Sequence, residues 1–339
     1  ACNYADGEWV PHDSPPMYNG TTCPTIKQGQ NCMSSGRPDR DYLRWKWKPH
    51  ACDLPSFDPL RFLHLLQNKT IAFVGDSLAR NQMESLLCML STVSNPLLLY
   101  ASGEDNKFRK WHFPSHNSNL SIYWSPFLVQ GIEKNNDNNY NTMFLDSVDR
   151  RWSDDLGEID VLVACVGHWF LLPAVYYQKN SIAGCHAHGN CTETDFYGAY
   201  EAALKTAFRE VVTGKENRVA SLLFTTFTPA HFEGEWDKLG SCSRTRPYGK
   251  MILEGMNAEM RRIGMEQVRE ARREGGSVAC VEALDVTTLA MTRPDGHPGP
   301  YMYPFPFANG VPERVQNDCV HWCLPGPIDT WNQILLDAI

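Results

Sequence analysis

Long apolar runs are missing: nothing in the 339 residues approaches the roughly 20 needed to span a bilayer. No charged n-region followed by an apolar stretch stands at Ala1-Cys2-Asn3, so these residues read as a soluble chain. Blocks of Lys and Arg are missing too, and 31 basic against 39 acidic residues give a net charge of −8. That balance argues against a nucleic-acid binder, which needs clustered cations to displace phosphate counterions. No second Cys or His pair completes the zinc-like spacing of Cys319, His321 and Cys323, so no metal is expected. Neither a linker nor an internal repeat divides the chain, which we take as one catalytic domain over 1–339.

What is present begins with cysteine. Twelve of them, mostly in loop-like surroundings such as Asn31-Cys32-Met33, suit disulfides in an oxidising compartment better than cytosolic thiols. N-glycosylation sequons at Asn19, Asn68, Asn119 and Asn190 agree with a lumenal or extracellular location. Residues 1–60, rich in Pro, Gly, Asn, Trp and Cys, read as a loop-heavy minor lobe, and 61–339 as mostly the major lobe. Near-continuous apolar runs at 70–74, 161–166, 221–227 and 277–281 predict buried strands. Helical spacing over 78–90, 195–212 and 253–274 predicts helices between them. The fold class is therefore α/β, a doubly wound, mainly parallel sheet flanked by helices, with the smaller lobe beside it. Residues 133–141, dominated by Asn and Asp, read as a surface loop.

The sharpest local signal is Val74-Gly75-Asp76-Ser77-Leu78-Ala79-Arg80-Asn81, where a buried strand hands over to a helix. Gly75 permits a tight turn, and Ser77 at the helix N-terminus would sit where N–H groups and the helix dipole stabilise an oxyanion. The plainer reading is that Asp76 or Ser77 merely caps the helix. A nucleophilic serine needs a base and an orienting acid, and Asp318-Cys319-Val320-His321 offers both. A carboxylate three residues before a histidine can share one face of a helical turn with it. A disulfide-bonded loop with an incidental histidine remains the alternative for that segment.

The pair Gly75-Asp76-Ser77 and Asp318-x-x-His321 resembles the GDS and DxxH motifs of the plant trichome-birefringence-like polysaccharide O-acetyltransferases, relatives of the SGNH/GDSL hydrolases. Further matching segments are Cys2-Asn-Tyr-Ala-Asp-Gly-Glu-Trp9, Trp45-Lys-Trp-Lys-Pro49, Gly167-His-Trp169, Thr228-Pro-Ala-His231-Phe-Glu-Gly234 and Asp295-Gly-His-Pro-Gly-Pro300-Tyr, so the resemblance covers practically the whole chain. It implies an SGNH-like two-lobed fold and a Golgi-lumenal enzyme whose full-length form carries an N-terminal membrane anchor. It also implies an acetyl-Ser77 intermediate, with Asp318 and His321 completing the triad. No bound cofactor is implied; acetyl-CoA is a candidate acetyl donor. The acceptor is a cell-wall polysaccharide, and Asn31-Cys32-Met33 to Asp39 with Ala51-Cys52-Asp53 look most like the xyloglucan branch. Xylan and mannan are alternative acceptors, an acetyl esterase is the alternative chemistry, and a glycan-binding protein the alternative without catalysis.

The resemblance further implies disulfides Cys2–Cys52, Cys23–Cys88, Cys32–Cys319 and Cys242–Cys323. Cys185 and Cys191 could close a small loop, while Cys165 and Cys280, in apolar strands, read as buried free thiols. Gly75, Asp76, Arg80, Asn81 and the backbone of Gly167 are expected around the oxyanion. His168, Trp169, Trp322 and His231 are expected to line the cleft, with Trp45 and Trp47 as weaker sugar-stacking candidates. His186, His188 and His297 are expected to do nothing catalytic.

Overall fold

The computed structural model describes residues 2–339 apart from 105, 106, 190 and 216. Strand β1 (Gly7–Pro11) pairs antiparallel with β2 (Trp45–Pro49) in a small ribbon. Helix α1 (Pro59–Leu65) then leads into β3 (Thr70–Gly75) and α2 (Ser77–Ser91). After these come β4 (Leu97–Ser102), β5 (Phe108–Phe113), β6 (Ser118–Trp124), β7 (Val129–Ile132) and β8 (Asn141–Val148). The chain continues through α3 (Arg150–Ser153), β9 (Val161–Cys165), β10 (Ala174–Gln178), β11 (Ser181–His186) and α4 (Phe196–Thr213). It ends with β12 (Ser221–Thr225), α5 (Gly255–Glu274), β13 (Cys280–Leu284), α6 (Thr287–Met291) and α7 (Asp329–Ala338).

The main sheet has seven strands in the order β13-β12-β9-β3-β6-β5-β4. The five from β13 to β6 run parallel, and β5 and β4 add an antiparallel edge. Strand alternation decides the layers. Ile71 and Phe73 of β3 point into a core shared with α2 and α7, whereas Ala72 and Val74 point into a second core shared with α4 and α5. A β-strand buried on both faces has no polar positions, which is why all six residues of β3 are buried. A second sheet, β11-β10-β8-β7, packs its Met143 and Leu145 against α4.

Three features differ from the sequence reading. The last strand lies at 280–284 rather than 277–281, because the N–H groups of Ala279 and Cys280 both turn onto the Ala220 carbonyl before pairing with β12 begins. Cys280 therefore sits on an edge strand and is half-buried, while Cys165 is buried. Most of the strands between 97 and 186 were not anticipated. The sequon at Asn119 lies in β6 between β3 and β5, where its amide nitrogen donates to Thr70 Oγ1 (3.3 Å). Asn68 is exposed, Asn19 is half-buried with its Oδ1 accepting from Thr21 and Thr22, and Asn190 lies outside the described residues.

The N-terminal segment is tied to a loop from the other end of the chain. Arg37, buried over the Tyr42 ring, donates to the carbonyls of His297 (2.8 Å) and Asp295 (2.7 Å), and Arg293 donates to the Tyr42 carbonyl (2.6 Å) while paired with Asp295. The N-terminal segment and the 293–299 loop thus form one body. A buried polar chain joins this body to the helices: Tyr18 and Ser85 donate to Asp329 (2.7 and 2.6 Å), and Asn332 donates to Ser85 and to the Gln82 carbonyl. Burial raises the Asp329 carboxyl to about 6, against the pull of those donors.

Gly75 closes the strand-to-helix turn with almost no room: a Cβ there would lie 1.9 Å from the Cys165 carbonyl oxygen. Gly75→Ala is therefore expected to push β3 off β9 and cost at least about 3 kcal/mol, read as a lowered denaturant midpoint without a change in slope.

Candidate active site

Of residues 70–90, every one is buried except Ser77. The cause is local: β3 ends at Gly75, Asp76 caps α2 through Oδ1 to the Leu78 N–H (2.9 Å), and Ser77 is the first residue of the helix. The hydroxyl is thus presented at the positive end of a 15-residue helix. The other oxygen of Asp76 accepts from the Gly167 N–H at 3.2 Å. Burial raises the Asp76 carboxyl to about 6, opposed by the Leu78 and Gly167 N–H groups.

That last contact corrects the expectation for Gly167. Its N–H is aimed at the Asp76 carboxylate, so it is not available to an oxyanion, and Gly167 instead ties β9 to the Ser77 turn. Asp76 already takes the Leu78 and Ala79 N–H groups through its side chain and the Arg80 N–H through its carbonyl. The remaining donor of that turn is the Ser77 N–H itself, since the first N–H groups of a helix have no intrahelical acceptor.

Asp318 and His321 meet, but not on a helix. Residues 318–321 form a non-helical turn, in which Asp318 Oδ1 accepts from the N–H groups of Val320 (3.0 Å) and His321 (2.9 Å). Its Oδ2 accepts from His321 Nδ1 at 2.7 Å. His321 Nε2 is buried and has no hydrogen-bond partner among the described residues. Burial works against charge on His321, but the Asp318 carboxylate outweighs it, and the imidazole is held above its ordinary range. Asp318 is likewise penalised by burial, yet the His321 charge and the three hydrogen bonds bring its carboxyl well below the usual carboxylate range.

Asn81 brings the two segments together. One turn along α2 from Ser77, its Nδ2 donates to the Trp322 carbonyl (3.2 Å) and its Oδ1 accepts from the Trp322 N–H (2.7 Å). Both ends of the amide are engaged, so Asn81 anchors the residue after His321. Arg80 is buried with its guanidinium 5.4 Å from the Trp124 ring, close enough for its charge to act on His321.

Disulfides hold the same turn from both sides. The bonds are Cys2–Cys52, Cys23–Cys88, Cys185–Cys191, Cys32–Cys323 and Cys242–Cys319. The two around His321 are exchanged relative to the expected pairing. Cys323 faces the N-terminal segment, where its N–H and that of Leu324 bond to Gly296 and Gln30, whereas Cys319 faces the 231–242 loop, its carbonyl accepting from His231. Oxidised in this way, neither cysteine is a metal ligand.

The tryptophans singled out by position are mostly structural. Trp322 and Trp47 are buried, and Trp169 is half-buried with Trp124 and Phe127 edge-on against it at 5.8 and 6.0 Å. His168 does reach the site: its Nε2 is 2.8 Å from the Thr228 carbonyl, it stacks on Phe227, and burial lowers it to about 4 despite that carbonyl. It is a neutral ring at neutral pH. The exposed aromatics beside the site went unnoticed: Phe232 and Trp236 lie in the 231–237 segment, whose Trp236 carbonyl accepts from Asn317, next to Asp318. Exposure, which marks them, is not written in local sequence.

Comparison with known proteins agrees over the full length. Residues 54–338 match the PC-Esterase model, described as a GDSL/SGNH-like acyl-esterase family found in Pmr5 and Cas1p, and residues 1–53 match the PMR5 N-terminal domain. The chain is 57% identical to xyloglucan O-acetyltransferase 1 of Populus trichocarpa, over 100% of this chain and 81% of that protein. It is 54% identical to xyloglucan O-acetyltransferase 1 of Arabidopsis thaliana (100% and 80%) and 42% identical to protein trichome birefringence-like 25 of the same plant (100% and 76%).

A base held above its ordinary range must lose its proton before it can act. Activity is therefore expected to fall on the acid side with an apparent pKa above about 6.5. Asp318→Asn, which removes the raising charge, should shift that limb to lower pH and reduce kcat by about 10⁴-fold; a pH series of kcat for both proteins measures it.

Proposed function

The chain belongs to the PC-Esterase family of GDSL/SGNH-like acyl-esterases, and from that premise we propose that it transfers acetyl groups to hydroxyls of a cell-wall polysaccharide, xyloglucan, through an acetyl-Ser77 intermediate. The observations that support the mechanism are that Ser77 alone is unburied in its turn, that Asn81 of the same helix holds the main chain of Trp322, and that Nε2 of the adjoining His321 is unclaimed among the described residues. The acceptor follows from the identity to proteins named as xyloglucan O-acetyltransferases.

In the first half-reaction His321 Nε2 takes the Ser77 proton and Oγ attacks the acetyl carbonyl of the donor. The oxyanion forms against the Ser77 N–H and the α2 N-terminus; on collapse, the leaving group departs with the proton from His321. In the second, His321 removes a proton from a sugar hydroxyl, whose oxygen attacks acetyl-Ser77. The new ester leaves, and Ser77 recovers the proton. Asp318 keeps Nδ1–H pointed away and stabilises the imidazolium in both. Acetyl-CoA is our candidate donor, an oxidising Golgi lumen fits the five disulfides, and the membrane anchor would precede these residues. Among the described residues no helix is long and apolar enough to cross a membrane. Phe232 and Trp236, 42% and 50% exposed, offer sugar rings a stacking surface on the Asp318 side.

Incubation with labelled acetyl-CoA and unacetylated xyloglucan oligosaccharide is expected to yield acetylated sugar, with Ser77→Ala inactive. Release of acetate with no sugar ester formed would make the enzyme an esterase. Trp236→Ala should raise KM for the oligosaccharide about fivefold and leave kcat near wild type.

A further inference from the structure

Two histidines that the reaction does not use stand directly behind the one that it does. His231 Nε2 is 2.8 Å from the Met291 carbonyl oxygen, His231 Nδ1 is 2.7 Å from His297 Nε2, and His297 Nδ1 is 2.7 Å from the carbonyl oxygen of His321. His297 is buried and His231 half-buried. Both ends of this row are carbonyl oxygens, which only accept hydrogen bonds. The outer nitrogen of each ring must therefore carry a proton. Two neutral imidazoles have no other, and the inner nitrogens would then oppose two lone pairs at hydrogen-bond distance.

We propose that His231 and His297 share one proton beyond the two that neutral rings carry, forming an imidazole–imidazolium pair that fixes the main chain of His321. Both are positioning residues: neither touches the reacting atoms, and their effect passes through the His321 carbonyl. The proposal rests on His321 being the general base, although the proton count does not.

The surroundings suit one positive charge spread over two rings. His297 lies flat on Trp322, with centroids 4.2 Å apart and planes 27° from parallel, which puts a cation on an aromatic face. The charges around the pair come from several segments. Glu233, bonded to Arg244 and Tyr248, and Asp295, paired with Arg293, act on His231. Asp318 and His321 act on His297, whose own carbonyl receives Arg37. Burial opposes protonation of either ring alone; sharing satisfies all three hydrogen bonds with a single charge, whereas neutrality would break one of them.

A cation there has a chemical consequence. It disfavours a second charge on His321 and so counters the raising effect of Asp318, keeping the base available at lower pH. Position and charge can be separated by substitution: in His297→Gln the side-chain amide can still donate to the His321 carbonyl but carries no charge.

The test uses the folded full chain labelled with ¹⁵N-histidine. Ring spectra between about pH 5 and 8 should show three nitrogen-bound protons for the pair, with the inner two nitrogens at shifts intermediate between bare and protonated. Two protons over that range would overturn the proposal, whatever reaction the enzyme performs. His297→Leu should lower kcat about tenfold with KM unchanged. His297→Gln should recover most of that loss at neutral pH, yet its acid limb should sit on the order of one pH unit above wild type. A wild-type pH profile in His297→Gln would reduce the pair to a structural contact and sink the idea.

Discussion

The site depends on one amide. Asn81 binds both main-chain groups of Trp322, and this fixes the distance between a helix that starts at residue 77 and a turn centred on residue 321. Two backbone segments from opposite ends of the chain have no covalent reason to stay in register. A side chain that offers one donor and one acceptor in a plane can hold a neighbouring strand of main chain in a single orientation, because either bond alone would leave it free to swing. Everything else around the turn stiffens what this contact has set: Asp318 closes it from within, and the two disulfides hold it from outside.

The α2 helix can act as this reference point because it is itself over-determined. Its apolar face is buried against β3 and α7, and two of its buried polar side chains are satisfied internally, Gln82 by Thr225 and Asn332, Ser85 by Asp329 and Asn332. A half-satisfied network of this kind would cost more than an apolar core. Here every member answers another, and the chain reaches Tyr18 in the N-terminal segment. The minor lobe is thus a brace rather than an appendage, with Arg37 and Arg293 replacing the sheet hydrogen bonds that the loop-rich sequence cannot make.

Much of this was legible beforehand, for reasons that are local. Thr70–Val74 is apolar without alternation, which only a strand covered on both faces tolerates, and Gly75-Asp76-Ser77 breaks the run where a helix must be capped. Asp318 and His321 could be paired because their relation is short-range within one segment. Phe108-Arg-Lys-Trp-His-Phe113 does not read as a strand from its sequence, since its buried and half-buried residues mix apolar and cationic side chains. The cysteines show the limit most clearly. Cys319 and Cys323 are four residues apart, and which one faces Cys32 depends on the sense of a turn that propensity does not encode. Gly167 meets a similar limit: its N–H runs onto Asp76, and no side-chain pattern reports where a backbone group points.

The Cys32–Cys323 bond spans a sequence separation of 291. Synthesis runs from the N-terminus, so the thiol of Cys32 must wait for 291 further residues before its partner is made, while Cys23, Cys52 and Cys88 lie closer in sequence as wrong choices. That bond also flanks His321, so the turn around the imidazole is held from this side only once Cys323 has been made.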